Sequence, residues 1–240
     1  MGRWILLFAG TALLAVLVQF PLSLALRVSG APVAADRVTG SVWAGRIEGA
    51  TVQGYALGDV DVSAKLLPLI TGRLVAAVDI EGPIARGHAV VTAQSGSLKF
   101  DETEAAVNIA PLALRDAFGA PMSGIVNLTA DELELSADGR CLGGRAGLST
   151  DTLQRSAVRY GGEGFQLSGE GACQDGVFIL PLAGMGPEGS ADVTIRVSRA
   201  GYQTEVVFVP TDQQLAAALS AYGFERDGGQ YSLIQRGDVF

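Results

Sequence analysis

Hydrophobic and polar positions alternate along this chain in two ways. Residues 4–26 carry no charge at all, and Arg3 and Arg27 bracket them. At a helical rise of about 1.5 Å per residue, such a run is just long enough for a hydrocarbon core of about 30 Å. Further on, apolar residues recur at every second position, as on strands with one face buried. Segments of this kind cover residues 60–63, 66–74, 75–80, 88–93, 96–100, 105–109 and 124–136, and a hairpin spans 193–197 and 202–209. Within 124–136 the alternation slips, which predicts a bulge near Thr129.

Asp138-Gly139, Asp175-Gly176 and Asp227-Gly228 each stand between strand-like runs. Asp-Gly supplies the positive φ angles of tight hairpins, so reversals belong there. Two short helices interrupt the strands. One covers residues 111–118, with Pro111 at its start and Gly119 at its end. The other opens with a Thr211-x-x-Gln214 capping box and lines up Leu215, Leu219 and Tyr222 before Gly223. The fold expected is mainly β: an elongated, curled, mostly antiparallel sheet with two short helices, preceded by one N-terminal transmembrane helix. An open curled sheet is favoured over a closed barrel because no regular barrel repeat is visible.

The N-terminal run reads as a retained membrane anchor over residues 1–27, followed by a linker at 28–37 and a β-rich domain at 38–240. The alternative is a cleaved signal peptide, with Ser23 and Ala25 as the small-x-small site. Leu22, Leu24 and Leu26 favour the anchor, since they keep the run apolar where a cleavage region turns polar. Either way residues 28 onward lie outside the cytoplasm. Cys141 and Cys173 then sit where oxidation persists. A disulfide between them is expected, with two separately buried thiols as the alternative, since spacing alone does not show the geometry.

The segment Val38-Thr39-Gly40-Ser41-Val42-Trp43-Ala44-Gly45-Arg46 resembles the signature that opens the soluble part of the type II secretion system protein N family. Gly40, Val42, Trp43 and Gly45 carry the likeness, with Ser41 in the place of a threonine and Ala44 in that of a serine. The Leu66-x-Pro68 … Gly72-Arg73-Leu74 run is similar to the family too, although Ser63-Ala64-Lys65 stands where relatives often carry tryptophan. So is the C-terminal pattern of a helix after Pro210, Tyr222-Gly223, Gly228-Gly229-Gln230-Tyr231 and a last strand from Leu233 to Gly237. The resemblance implies a non-catalytic component of an inner-membrane secretion assembly, a single-pass protein with its N-terminus in the cytoplasm and its bulk in the periplasm. Its partners would be other membrane-anchored components and the lipid of the inner membrane; no cofactor is implied. A more distant resemblance to AsmA-like periplasmic proteins implies a different role, an apolar β-groove for acyl chains. On its own chemistry, Trp43 reads as a core anchor of the first strand.

Charge narrows the partners. A net charge of −8, with Lys65 and Lys99 as the two lysines and the arginines scattered, gives no basic stripe for nucleic acid. The thirty-two glycines in the chain suit short strands and tight turns better than a helical bundle. His88 stands alone, with no Cys or His at metal-ligand spacing. No Gly-x-Ser-x-Gly elbow presents a nucleophile. Glu102 with Glu104, and Asp131 with Glu132 and Glu134, read as solvated strand residues rather than an acid–base pair. Gly184-x-Gly186-x-x-Gly189 matches a dinucleotide fingerprint, but residues 190–197 read as strand, so it is a loop. No catalytic, cofactor or metal residue is expected.

Overall fold

The computed structural model describes residues 19–30, 32–115 and 119–237. Its strands are β1 (Val33–Ala34), β2 (Arg37–Ser41), β3 (Ala44–Val52), β4 (Tyr55–Lys65), β5 (Arg73–Glu81), β6 (Ala85–Gln94), β7 (Ser97–Asn108) and β8 (Ile125–Ser136). They continue with β9 (Cys141–Thr150), β10 (Leu167–Gln174), β11 (Val177–Gly186), β12 (Gly189–Ser198), β13 (Gly201–Pro210), β14 (Glu225–Asp227) and β15 (Gln230–Gly237). All belong to one 15-stranded antiparallel sheet. From β3 to β13 each strand pairs with its successor; β1 and β2 share the outer edge of β3, and β15 then β14 close the series. The edges do not meet, so the sheet is open.

This meander sorts the reversals. The β2–β3, β4–β5, β6–β7, β8–β9, β10–β11 and β12–β13 turns fall at one end of the sheet. The longer connections fall at the other, with helix α2 (Thr152–Arg159) between β9 and β10 and α3 (Gln213–Ala221) after β13. Helix α1 (Leu22–Ser29) starts at the first end, where Pro21 bridges Ser41.

Register puts apolar side chains on one face. Ile47, Val60, Ile80, Gly87, Ala105, Leu128 and Leu148 lie opposite one another in a single row from β3 to β9. Two clusters bury this face. Under α1, Leu22 joins Ile47, Ala50 and Val60; at the far side, Phe165, Leu167, Leu180, Leu182, Ala191 and Val193 pack together, with Phe165 and Phe208 ring centroids 6.2 Å apart. Across the central strands the same face is only half covered, and Leu98 and Leu128 are exposed.

The Asp-Gly pairs at 138, 175 and 227 all form reversals. Several sequence expectations change. The strand expected at 66–74 forms only from Arg73: Leu67–Thr71 is a 3-10 turn, ended by Gly72 at φ 73°. The register that pairs Lys65 with Val75 forces the chain to reverse between them. The helix expected at 111–118 is a 3-10 turn over Ala110–Leu112, since Ala113 is left-handed at φ 52°; residues 116–118 lie outside the described residues. Helix α2 was not expected at all. In α3 the cap is Asp212, whose carboxylate accepts from the Gln214 N–H at 2.7 Å, while the Thr211 hydroxyl instead donates to Pro187 O. The bulge expected near Thr129 lies at Glu132 (φ 54°), next to a second at Glu102 (φ 46°) on β7.

The expected span does not run through to Leu26: Pro21 is extended (ψ 136°), and helix α1 begins at Leu22 and docks on the sheet. Residues 28–37, expected as a linker, contain the end of α1, β1 and the start of β2. Among the described residues no helix is long and apolar enough to cross a membrane; residues 1–18 lie outside them.

Candidate functional site

The signature residues converge where the chain comes off its N-terminal run. Gly40 is left-handed (φ 79°) and Gly45 faces it across the β2–β3 hairpin. A Cβ on Gly45 would meet Leu22 Cδ2 at 2.6 Å and Ser41 O at 2.6 Å. The absent side chain is therefore what lets Leu22, only 4% exposed, sit on the strand. Val42 ties three segments together: its N–H donates to Phe20 O at 3.1 Å, and its carbonyl accepts from the Ala64 N–H at 3.0 Å. Trp43 is not the core anchor expected. It occupies the β2–β3 turn and is only half-buried, because the hairpin reverses at Val42-Trp43.

The opposite face of the sheet is polar. Arg46, Asp61, Asp79, His88, Glu104 and Thr129 form a row across β3–β8. Asp61 and Asp79 lie directly opposite each other, an unfavourable pairing that the Arg46 cation relieves on one side. Arg46 reaches Asp59 at 2.8 Å and Asp61 at 3.1 Å, and His88 Nδ1 lies 2.7 Å from Asp79. The Arg46 hydrogen bond, with the Gly49 N–H, holds the Asp59 carboxyl below its usual range. Lys99 bridges Asp101 at 3.1 Å and Glu132 at 2.9 Å, pinning the two bulges together. A depression of about 410 Å³ is lined by Glu102, Glu104, Asp131 and Glu170 with Arg145 as its one cation. These carboxylates are open to water, and the surplus of negative charge repels polyanions.

Structural carboxylates are found at the other end of the sheet. Asp151 accepts from the Ile125 N–H at 2.7 Å and from Arg155 at 2.6 Å. Burial pushes its carboxyl up, but these two donors outweigh that and hold it below the usual range. Glu188 accepts from the backbone N–H groups of Glu163 (2.6 Å) and Gly164 (3.2 Å), which lowers its carboxyl as well. Gly184-x-Gly186-x-x-Gly189 is the β11–β12 hairpin, where Gly186 pairs with Gly189 and no helix follows. Cys141 and Cys173 are joined in a disulfide, with Cα atoms 5.4 Å apart, stapling β9 to β10 at the end remote from α2. Among the described residues no three His, Cys, Asp or Glu side chains are placed to hold a metal ion.

What sequence reasoning missed was the partner of Gly45. In sequence Leu22 belongs to the apolar N-terminal run, and nothing in its apolar neighbourhood marks it as a contact of the sheet. A family model matches residues 31–234, that of Type II secretion system (T2SS), protein N. No curated protein and no solved structure matches the chain.

Proposed function

The chain belongs to the type II secretion system protein N family, and from that premise we propose that it is a non-catalytic component of the secretion machine's inner-membrane assembly. In this reading the N-terminal apolar run is a retained single-pass anchor, its start in the cytoplasm, and the sheet stands in the periplasm. The seat of Leu22 on Gly45 carries the proposal. Cleavage after Ala25 would remove Leu22 and uncover the cluster of Ile47, Ala50 and Val60, so the docked α1 favours retention. One hydrogen bond, from the Val42 N–H to Phe20 O, then couples the run directly to the signature turn, and a second ties that turn to Ala64 on β4.

Docking to neighbouring components needs surface that the domain leaves unused. β14 pairs with β15 only at Gln230, Tyr231 and Ser232. Among the described residues the outer edge of 233–237 has no partner strand, and Ile234 is exposed. An open edge of this kind accepts an added strand through main-chain hydrogen bonds. Tethering to one membrane raises the effective concentration of partners, so a modest contact suffices. The test is photocrosslinking in secreting cells from positions 43 and 234. Adducts with other membrane-anchored secretion components are expected; adducts only with unrelated proteins would refute the assignment. A second reading, an acyl-chain groove, draws on the half-covered apolar face at Leu74 and Leu98. Phospholipid retained through native mass spectrometry would favour it.

A further inference from the structure

The β4–β5 reversal presents Leu66, Leu67, Leu69 and Ile70 to solvent, with Leu67 80% and Ile70 83% exposed. So concentrated an apolar knuckle is costly in water and marks a contact. We propose that it is a second membrane contact, inserting Leu67 and Ile70 into the bilayer interface beside the anchor; this rests on the anchor reading above.

Placement supports lipid as the occupant. The N-terminal apolar run reaches the sheet at Phe20, whose carbonyl accepts from Val42; Val42 in turn accepts from Ala64, the residue before Lys65. Two strand spacings, about 10 Å, therefore separate the end of the run from the start of the knuckle. Both lie at the same end of the sheet. Of the other described turns at this end, only β2–β3, at Val42-Trp43 beside the run, is apolar; the rest, Asp138-Gly139 and Asp175-Gly176 among them, are polar.

The knuckle is also built for a water-poor setting, where bare backbone groups are expensive. Its N–H groups turn inward: Leu69 donates to Leu66 O at 3.1 Å and Gly72 to Leu69 O at 3.0 Å. The Thr71 hydroxyl donates to Pro68 O at 2.8 Å, and Pro68 has no N–H to satisfy. Lys65 and Arg73 flank the apolar tip, and among the described residues neither is ion-paired. At the ends of an inserted loop, such cations reach lipid phosphates while their stems stay apolar. With anchor and knuckle both engaged, β3–β5 would be held at a fixed angle to the membrane.

The test uses the full chain in vesicles of phosphatidylethanolamine and phosphatidylglycerol. An environment-sensitive fluorophore is placed at Ile70→Cys or, at the opposite end of the sheet, at the exposed Val158→Cys. Flotation reports the anchor and quenching by nitroxide-bearing lipid reports the knuckle. The expected result is flotation of both proteins, with blue-shifted, lipid-quenched emission at position 70 and aqueous, unquenched emission at 158. Flotation with aqueous emission at 70 would overturn the inference, leave the anchor standing and assign the knuckle to a protein partner. Failure to float would overturn both readings.

Discussion

Replacing Leu22 by alanine tests the joint between the N-terminal run and the sheet. Leu22 is 4% exposed and packs with Ile47, Ala50 and Val60. Three lost carbons at about 0.8 kcal/mol each, plus a small cavity that a short helix can partly collapse into, give a loss of about 2.5–3.5 kcal/mol. Gly45→Ala attacks the same contact from below. Its Cβ would stand 2.6 Å from Leu22 Cδ2, which can rotate away, and 2.6 Å from Ser41 O, which is backbone and cannot do so cheaply. Overpacking of this kind costs about 1–3 kcal/mol. In the Leu22→Ala background the first clash is gone and the second remains, so Gly45→Ala should cost about 1 kcal/mol less there. Urea titration of the full chain in mild detergent, followed by far-UV circular dichroism, measures all four corners of the cycle. Additive losses within about 0.5 kcal/mol, or a Leu22→Ala loss below about 1 kcal/mol, would show that α1 is not seated on Gly45 in solution.

Two further outcomes follow from the same geometry. Cys141 and Cys173 are separated by 32 positions, so Cys141→Ser with Cys173→Ser should lower the stability by about 3–4 kcal/mol in the chain-entropy description, read as a lower urea midpoint; no change would mean that β9 and β10 hold their register unaided. The Asp151 carboxyl is held below its usual range, opposed by burial but favoured by the Ile125 N–H and Arg155. Its contribution is therefore whole above the unfolded-state value, about pH 4, and fades as pH falls through the lower folded-state value. Asp151→Ala should cost about 1–2 kcal/mol at neutral pH and much less in strong acid, with a flatter pH profile by thermal unfolding; an equal loss at both would exclude the ionised carboxylate as the cause.

The order of strands was legible because period-two alternation and the three Asp-Gly pairs are local signals, and a meander adds little that is not local. The 66–74 stretch misled for a physical reason. Its leucines and isoleucine are apolar without being buried, and only the pairing of Lys65 with Val75 reveals a reversal. Trp43 misled in a similar way, since a large aromatic reads as core while this one occupies a turn. Helix α2 was hidden because its anchors, Asp151 on the Ile125 N–H and Arg159 on Pro121 O, are contacts distant in sequence. Of the candidate site, Gly40 and Gly45 were visible as carriers of the family likeness, but the reason for Gly45 lies across space in Leu22.

The central claim is that the sheet stands outside the cytoplasm, held to the inner membrane by the N-terminal run. Protease added to intact spheroplasts of a secreting host tests it most directly, with the membrane-bound remnant identified by mass. Digestion of the sheet, leaving a remnant that begins at the N-terminus, is the expected result. A domain protected until the inner membrane is breached, or a mature chain found to start near Leu26, would contradict it.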